Sequence, residues 1–432
     1  MLTLFVILAT LHSIIVPITQ GEDELAHYRY LAFIAQSGRL PTNPAEREQA
    51  WYRSDWPPLY HLLVGWTVRG LGIDTTRPHL KDVGESPRRR LVGQIFYPRL
   101  IIYTEDANWP WQDGILAWHI GRFISILFAT AALFFVWLTA RELWSLLRGH
   151  FVRPRLSAGG FATLVTALLA LTPRFLFTSA MLSDDSLLVL LSALFLWLLL
   201  RLARGDDRGW LYALAGLLVG LSIATKYSTG LFPLLFVPLV VWRARQAGWR
   251  WTKAAGRLAA AWLATVLGAS WWFGWTAYYF NTVREEGWFY GLLHPWLASG
   301  PDVSMRRVFA FLTGAEFTAP ERPAAIEPGT FWDWLVYLFQ TYWGVPVLEH
   351  DPLFPWAYLL VLVFCLLALA GLWRLWRAAD SQTRLILGLL ALTVALLFPF
   401  PILRFFLTRN VPETGQGRHI LYPAAQAVPI LL

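Results

Sequence analysis

The chain has 432 residues, of which 56% are hydrophobic and only 15% are charged, and its formal net charge is +8. Its apolar residues come in blocks of about fifteen to twenty-five, long enough to cross a hydrocarbon core of roughly 30 Å as helices. This pattern excludes an ordinary soluble globular protein. The basic residues are spread over many loops beside apolar runs, which argues against nucleic-acid binding.

The apolar runs predict an all-α fold, a polytopic transmembrane helical bundle with about ten spans in a single domain over 1–432. These runs lie near 2–18, 115–140, 157–173, 184–201, 209–224, 228–242, 255–276, 356–373, 384–402 and 419–432. Short loops rich in arginine recur after every second span, which predicts that they face the cytoplasm. They are the loops at 141–155, 201–208, 243–257 and 374–384.

The complementary loops then face the extracytoplasmic side, and we expect a bacterial plasma membrane. Two of them are long, a first outer loop at 19–114 and a second at 277–355. Residues 2–18 could instead be a secretory signal, but no basic segment precedes them and no small-x-small cleavage site follows, so a retained span is expected. The chain begins in one apolar run and stops within another, as expected of a fragment truncated at its carboxyl end.

The first outer loop opens with acids and a histidine, Asp23, Glu24 and His27. Apolar residues from 24 to 37 recur at helical spacing and predict an amphipathic helix on the membrane, followed by a second surface helix over 59–68. His27 lies one turn beyond both acids, so a carboxylate and an imidazole can converge on a ligand or a divalent metal ion. Capping of the helix by the acids is the simpler alternative, and the metal requirement is left open.

Further polar residues lie at the same ends of the spans. Charges in or beside spans are costly and therefore informative, and here they are Arg122, Asp184, Asp185 and Lys226. Snorkelling would explain the two cations and helix capping the first aspartate, but all four point to the side of Asp23 and favour a polar cavity there. Asp55, before a proline-fixed turn, is either a turn residue or a site residue.

Two further residue types are concentrated on the side of Asp23. Arg404, Arg409 and Arg418 add positive charge, and the planar guanidinium suits phosphate recognition. Tryptophans and tyrosines crowd the same span ends, as at Trp272, and indicate an interfacial belt, with a sugar-stacking platform as the alternative. Together these residues imply a reaction in which cations grip a membrane-anchored phosphate donor while a carboxylate deprotonates an acceptor hydroxyl.

The chain resembles the GT-C superfamily, multi-spanning glycosyltransferases that use polyprenyl-phosphate sugars and include protein O-mannosyltransferases and lipid A aminoarabinose transferases. The resemblance is carried by five stretches: Asp23-Glu24 with His27 and Tyr28-Arg29-Tyr30, Pro57-Pro58-Leu59-Tyr60, Gly121-Arg122-Phe123-Ile124-Ser125, Ala224-Thr225-Lys226-Tyr227 and Gly417-Arg418-His419-Ile420-Leu421-Tyr422-Pro423. It implies that the Asp23-Glu24 pair supplies the catalytic base, that Arg122, Lys226 and Arg418 hold the carrier phosphate, and that Asp184-Asp185 lie near the site.

We therefore expect a membrane glycosyltransferase of the inverting type, which moves a sugar from a polyprenyl-phosphate donor to a hydroxyl of a glycan, lipid or protein acceptor. Asp23 and Glu24 are the expected catalytic residues. The expected substrate-binding residues are His27, Asp55, Tyr60, Arg122, Asp184, Asp185, Lys226 and Arg418. A transporter or lipid flippase is the alternative, although no internal repeat is visible. In a non-catalytic assembly subunit, a third possibility, the outer carboxylates would be dispensable.

Overall fold

The computed structural model describes residues 1–21, 23–75, 81–82, 101–102, 107–150, 156–280, 329–344 and 355–432. Parts of both long loops predicted from the sequence, 83–100 in the first and 281–328 in the second, lie outside the described residues. The described chain is helical apart from a short antiparallel strand pair, in which Lys81 and Asp82 face Ile102 and Ile101.

The helices are numbered in chain order. They are α1 Leu2–Ile15, α2 Glu24–Ser37, α3 Pro44–Ala50, α4 Leu59–Gly70, α5 Asp113–Leu147, α6 Ala158–Ala170, α7 Pro173–Ser179, α8 Asp185–Ala203, α9 Gly209–Ile223, α10 Phe236–Gln246, α11 Trp251–Phe280, α12 Phe331–Trp343, α13 Pro355–Ala378, α14 Ser381–Ala395, α15 Pro399–Thr408, α16 Val411–Thr414, α17 Gly417–Leu421 and α18 Ala427–Leu431. The strands are β1 Lys81–Asp82 and β2 Ile101–Ile102. Short 3₁₀ turns include Tyr52–Asp55, Tyr227–Thr229 and Tyr422–Ala424.

The structure confirms the all-helical membrane fold. Within the described ranges, five helical segments are long and apolar enough to cross a membrane, and the bent pair α6 and α7, with 72° between its halves, would add a sixth. The five are Asp113–Leu147, Asp185–Ala203, Tyr227–Gln246, Pro355–Ala378 and Ser381–Phe406. Helices α1 and α9 are apolar but shorter. Each predicted apolar run falls on helix, although 419–432 is divided among short helices and a 3₁₀ turn.

Small residues allow α9 and α11 to pack closely. A β-carbon added to Gly220 would lie 2.8 Å from the backbone of Gly268, so glycine is what lets these two helices approach. The Thr265 hydroxyl donates a hydrogen bond across the contact to the Gly216 carbonyl at 3.0 Å. Small residues and interhelical hydrogen bonds of this kind hold helices together where lipid removes the hydrophobic driving force.

The two helices predicted to lie on the membrane surface are present, but α2 is packed on both faces. Tyr28 and Leu31 join the main core, whereas Phe33 and Ile34 belong to a second apolar cluster with Trp272 of α11. An amphipathic helix with one free face was therefore too simple an expectation. Residues off the predicted stripe are buried as well, because a second layer of the molecule covers them.

The basic loops contact one another at one end of the bundle, as expected if they share a side of the membrane. Arg204 reaches Glu142 at 3.4 Å, Arg243 reaches Asp207 at 2.8 Å, and the Gln382 side chain donates to the Ala203 carbonyl at 3.2 Å. These contacts join all four basic loops, and we call this region the basic end.

Candidate functional site

Glu24 and Arg122 form a buried ion pair at the start of α2, here called the inner pair. Arg122 Nε lies 2.6 Å from Glu24 Oε1, and both side chains are 0% exposed. A second bond, from Arg122 Nη2 to Glu24 Oε2 at 2.7 Å, makes the pair bidentate. Such a pair is stable in a buried site only when the remaining donors and acceptors are also satisfied.

Arg122 uses all five of its N–H groups. Besides the two bonds to Glu24, Nη1 donates to the carbonyls of Ser13 and Val16, each at 2.7 Å, and Nη2 donates to the carbonyl of Pro17 at 3.0 Å. A guanidinium has five donors, so this one has none left for a phosphate. The residue instead ties α5 to the end of α1 and to the start of α2.

The carboxylate of Glu24 is equally occupied. It accepts backbone N–H bonds from Leu182 at 2.9 Å, Thr19 at 3.0 Å and Gly21 at 3.2 Å. Burial by itself raises the pKa of Glu24, but the charge and hydrogen bonds of Arg122 outweigh burial and lower that pKa overall. Glu24 is therefore held ionised in the fold, and the Leu182 bond links the inner pair to the segment that leads into α8.

That segment brings two aspartates inward. The first residue of α7 is a proline. A proline ring disfavours helix in the residue before it, so α6 ends before this position. Residues 174–189 are then buried without interruption, and Asp184 and Asp185 arrive at the start of α8 with side chains only 2% and 1% exposed.

Three aspartates and two cations meet there, and we call them the carboxylate cluster: Asp23, Asp184, Asp185, Lys226 and Arg418. Lys226 Nζ lies 2.6 Å from Asp185 Oδ1 and 3.5 Å from Asp184 Oδ1. Arg418 Nη1 lies 3.1 Å from Asp185 Oδ2, and Arg418 Nη2 lies 3.5 Å from Asp23 Oδ2. Five residues from four separate parts of the sequence thus share one charged centre.

Asp23 differs from the rest of the cluster in the exposure of its side chain. Its side chain is 21% exposed, whereas that of its partner Arg418 is 3% exposed and that of Lys226 is 6% exposed. Asp23 precedes α2 at the capping position with φ of 58°, in the left-handed region, and its side chain makes no capping bond within the described chain. The carboxylate is thus turned toward the cluster instead of its own helix.

Glycine positions Arg418. The Gly417 N–H donates to the Thr341 hydroxyl of α12 at 2.7 Å, and a β-carbon on Gly417 would lie 2.5 Å from the Leu338 carbonyl oxygen. Only a residue without a side chain fits this contact, and it fixes the first turn of α17, which carries Arg418. The Gln416 side chain accepts a further bond from Arg418 Nε at 3.3 Å.

His27 and Tyr60, two more of the predicted site residues, lie in a buried layer beside the cluster. His27 Nδ1 and His61 Nε2 are 2.8 Å apart, with the two rings stacked at 5.1 Å. The Tyr60 hydroxyl lies 2.7 Å from that of Ser125, and burial raises the pKa of Tyr60. Both residues are fully enclosed by α2, α4 and α5, where they contact other side chains of the layer.

Asp55 lies elsewhere. It is exposed in the 3₁₀ turn after α3, and its charge acts on Arg47 and on the hydroxyl of Tyr30. Arg47, Tyr30 and His61 were not among the site residues expected from the sequence, although Tyr30 belongs to the first stretch of the resemblance. His61 directly follows the Pro57-Pro58-Leu59-Tyr60 stretch, and this position was the available signal for it, whereas Arg47 has no local signal because it sits in an ordinary polar helix.

The three metal-ligand candidates are not brought together. Glu24 faces Arg122, His27 faces His61, and Asp23 faces Arg418. Among the residues that the structure describes, no group of three histidine, cysteine, aspartate or glutamate side chains has a geometry that could hold a metal ion.

Comparison with known proteins gives weak structural similarity. No protein-family model matches the chain, and no curated protein matches it. Among solved structures, the chain is similar to the crystal structure of an oligosaccharyltransferase from Archaeoglobus fulgidus in its apo form, with 11% sequence identity and a TM-score of 0.38. The match covers 99% of this chain but 56% of that one, so this chain spans little more than half the length of that protein.

Proposed function

We propose that this protein is an inverting glycosyltransferase that moves a sugar from a polyprenyl-phosphate carrier to an acceptor hydroxyl at the extracytoplasmic face of the membrane. The observation that carries the proposal is the geometry of Asp23. Its carboxylate is the most exposed member of a charged cluster and lies 3.5 Å from the Arg418 guanidinium. A group that can accept a proton thus neighbours a cation of the kind that binds phosphate.

In the proposed reaction, Asp23 takes the proton of the acceptor hydroxyl as the acceptor oxygen forms a bond to the anomeric carbon of the donor sugar. The bond between that carbon and the phosphate oxygen breaks, and the electron pair leaves with the carrier phosphate. Attack opposite the leaving group inverts the configuration at the sugar carbon. The carrier gains one negative charge in this step, which Arg418 stabilises.

The charge balance of the cluster supports this division of roles. Three carboxylates face two cations, so the cluster has one formal negative charge before reaction. Protonation of Asp23 removes that charge and frees Arg418 from one of its two acidic partners at the moment when the phosphate becomes more negative. Lys226 stays with Asp184 and Asp185 and holds the position of Arg418 through their shared partner Asp185.

The inner pair has a different part in the proposal. Because Glu24 and Arg122 satisfy each other and six backbone groups, we assign them to positioning: they fix the start of α2, and with it the backbone of Asp23. Asp184 and Asp185 likewise position cations and do not accept protons.

The test uses the purified protein in lipid nanodiscs, incubated with a panel of polyprenyl phosphate sugars, with release of carrier phosphate as the readout. Asp23→Asn should lower the transfer rate by about 10²- to 10⁴-fold, the usual contribution of a general base, without loss of protein from the membrane. Asp206→Asn is the matched control, because Asp206 lies at the basic end in an ion pair with Arg208. Transfer by Asp23→Asn at the rate of the unaltered protein would refute the proposal.

A further inference from the structure

Helices α9 and α11 run parallel to each other, and both begin at the basic end. Gly220 of α9 lies against Gly268 of α11, and near the start of α9 a β-carbon on Gly209 would lie 2.9 Å from the guanidinium carbon of Arg257. Helix α11 begins at Trp251, six residues before Arg257, which is about 9 Å along a helix. The first two turns of α11 therefore extend beyond the amino-terminal end of α9 and form a step beside it.

Five residues line this step, and we call them the Arg257 cluster: Gly209, Tyr212, Trp249, Lys253 and Arg257. The Arg257 guanidinium carbon lies 5.7 Å from the centroid of the Tyr212 ring, and the Tyr212 and Trp249 rings are 6.4 Å apart. Lys253 Nζ lies 4.5 Å from the centroid of the Trp249 ring. Two cations thus lie on either side of a pair of aromatic rings.

The two cations of the Arg257 cluster are not neutralised. Lys253 and Arg257 are four residues apart on one face of α11, a spacing at which like charges repel. No carboxylate in the described part of the chain forms an ion pair with either of them. The two aspartates of the loop before α9, Asp206 and Asp207, already form ion pairs with other arginines. The cluster therefore carries an excess of positive charge.

The amino-terminal end of α9 adds to this excess. Its first turn contains no acidic residue, and its capping residue, Arg208, makes no side-chain capping bond within the described chain. The first turn of α11 contains no acidic residue either. The amino-terminal end of a helix carries a partial positive charge and favours anions. Arg257 beside Gly209 is therefore a repulsive arrangement that an anion at this point would relieve.

The cluster also contains unused hydrogen-bond donors. Arg257 Nε and the Tyr212 hydroxyl are buried and have no hydrogen-bond partner among the residues that the structure describes, and Tyr212 is 0% exposed. Buried donors are costly to leave unpaired. A phosphate group suits such a place, because its oxygens accept several hydrogen bonds and its charge balances a guanidinium and an ammonium.

Exposed tryptophans indicate the depth at which the cluster lies. Trp210, next to Gly209, is 58% exposed, and Trp251, two residues before Lys253, is 80% exposed. Tryptophan favours the boundary between hydrocarbon and water, where lipid headgroups lie. The Arg257 cluster is thus expected at the level of the lipid phosphates.

We propose that the Arg257 cluster binds the phosphate of an anionic lipid headgroup. The phosphate lies between Lys253 and Arg257 at the amino-terminal end of α9 and accepts hydrogen bonds from Arg257 Nε and the Tyr212 hydroxyl. Helix α8 runs from Asp185 of the carboxylate cluster to Ala203 at the basic end, so its length separates the two clusters. Lipid binding at the basic end therefore does not depend on the reaction proposed above.

The experiment measures binding to the full chain in an uncharged detergent by isothermal titration calorimetry. The probes are dihexanoyl phosphatidylglycerol, dihexanoyl phosphatidylcholine and inorganic phosphate. The unaltered protein should bind phosphatidylglycerol more tightly than phosphatidylcholine, whose ammonium group is repelled by the two cations. Arg257→Ala should weaken the affinity for phosphatidylglycerol about tenfold or more, and Lys253→Ala about fivefold. Size-exclusion chromatography establishes that each variant is folded.

Gly209→Ala separates geometry from net charge. The added β-carbon would overlap the end of the Arg257 side chain, which is flexible and can move aside, so the charge stays while the guanidinium is displaced. The affinity for phosphatidylglycerol should fall about threefold, close to the contribution of one hydrogen bond. An unchanged affinity in this variant and in Arg257→Ala would overturn the proposal.

Arg377→Ala is the matched control. Arg377 also lies at the basic end with its guanidinium over a tryptophan ring, 5.8 Å from the centroid of Trp373, but it belongs to the last turn of α13, where a helix favours a cation. The affinity for phosphatidylglycerol should stay within about twofold of that of the unaltered protein.

Three outcomes would contradict lipid binding at this cluster. Equal losses in Arg257→Ala and Arg377→Ala would show that net charge alone attracts the lipid. Equal affinities of the unaltered protein for phosphatidylglycerol and phosphatidylcholine would show that the acyl chains, and not the charge of the headgroup, are bound. Binding of inorganic phosphate without binding of phosphatidylglycerol would assign the cluster to a soluble anion.

Discussion

The inner pair and the carboxylate cluster lie next to each other and are built from the same residue types, yet they use charge in different ways. In the inner pair one carboxylate meets one guanidinium, and both are 0% exposed. In the cluster three carboxylates share two cations, and Asp23, the neighbour of Glu24 in the chain, is 21% exposed. The two sites therefore differ in their balance of charge and in the exposure of their side chains, and not in residue type. We infer that these two properties separate an ion pair that holds the fold from one suited to chemistry.

The difference between the inner pair and the carboxylate cluster predicts whether a substitution lowers stability or activity. A buried pair with every donor satisfied loses stability when one partner is removed, because the other charge is left buried. A cluster with a surplus of charge and one accessible member can lose a charge with less damage to the fold, but its chemistry should change.

The largest effect is expected for Arg122→Met, which leaves Glu24 charged and buried without its partner. The free energy of unfolding should fall by about 3–5 kcal/mol, the usual cost of breaking a buried ion pair. The measurement is thermal unfolding of the detergent-solubilised protein, followed by loss of the monodisperse peak in size-exclusion chromatography.

The double variant Arg122→Met with Glu24→Gln is the matched control. It leaves no buried charge, and the glutamine oxygen can still accept the Leu182 N–H, so it should be more stable than Arg122→Met alone. A single variant as stable as the unaltered protein would show that the inner pair does not hold α1, α2 and α5 together.

Asp185→Asn tests the role of charge in the carboxylate cluster. Asp185 is the shared partner of Lys226 and Arg418, so without its charge both cations move toward the remaining carboxylates and Arg418 shields Asp23. Transfer should fall about 100-fold, equivalent to about 2.7 kcal/mol of transition-state stabilisation. The assay is the carrier-phosphate release described above.

Asp184→Asn provides the internal control for that result. Asp184 lies 3.5 Å from Lys226 and the variant should lose about tenfold, since it removes the longer of the two contacts to that lysine. A larger loss in Asp184→Asn than in Asp185→Asn would contradict the assignment of Asp185 as the central partner.

The sequence was sufficient for the helical membrane fold and for part of the site. Long apolar runs specify helices because nothing else satisfies the backbone in lipid, and α2 begins and ends at the predicted residues. Charges at span ends predicted one polar cavity for Arg122, Asp184, Asp185 and Lys226; the structure pairs Arg122 with Glu24 and brings the other three together with Arg418. The structure groups them with Asp23, while their functional roles stay predictions.

The sequence did not show which charged residues form ion pairs with each other. Asp23 and Glu24 are adjacent and look equivalent, and only the three-dimensional contacts show that Arg122, which lies 98 residues farther along the chain, meets Glu24. Arg122 was expected to hold phosphate because its charge was visible in the sequence, whereas its bonds to the carbonyls of Ser13, Val16 and Pro17 at the end of α1 were not. Arg47 was missed because burial by distant α11 cannot be inferred from the polar helix in which it sits.

Gly417→Ala tests how finely the cluster is positioned. The added β-carbon would lie 2.5 Å from the backbone of α12, and overpacking of this kind costs about 1–3 kcal/mol. Because the shift displaces Arg418, transfer should fall together with stability. Gly371→Ala in α13, where nothing lies within 4 Å of the added carbon, should leave both unchanged or raise stability slightly.

The smallest effect is expected at the basic end, where charges pair without being enclosed. Arg204 and Glu142 are 3.4 Å apart, with side chains 36% and 31% exposed, and an exposed pair of this kind contributes about 0–1 kcal/mol because water screens it and side-chain ordering opposes it. Arg204→Ala should therefore change the unfolding temperature little and leave transfer intact, and its small effect should diminish further at high salt. If Arg204→Ala loses as much stability as Arg122→Met, burial does not determine how much an ion pair stabilises this protein. The contrast between the buried inner pair and the exposed pairs of the basic end would then be wrong.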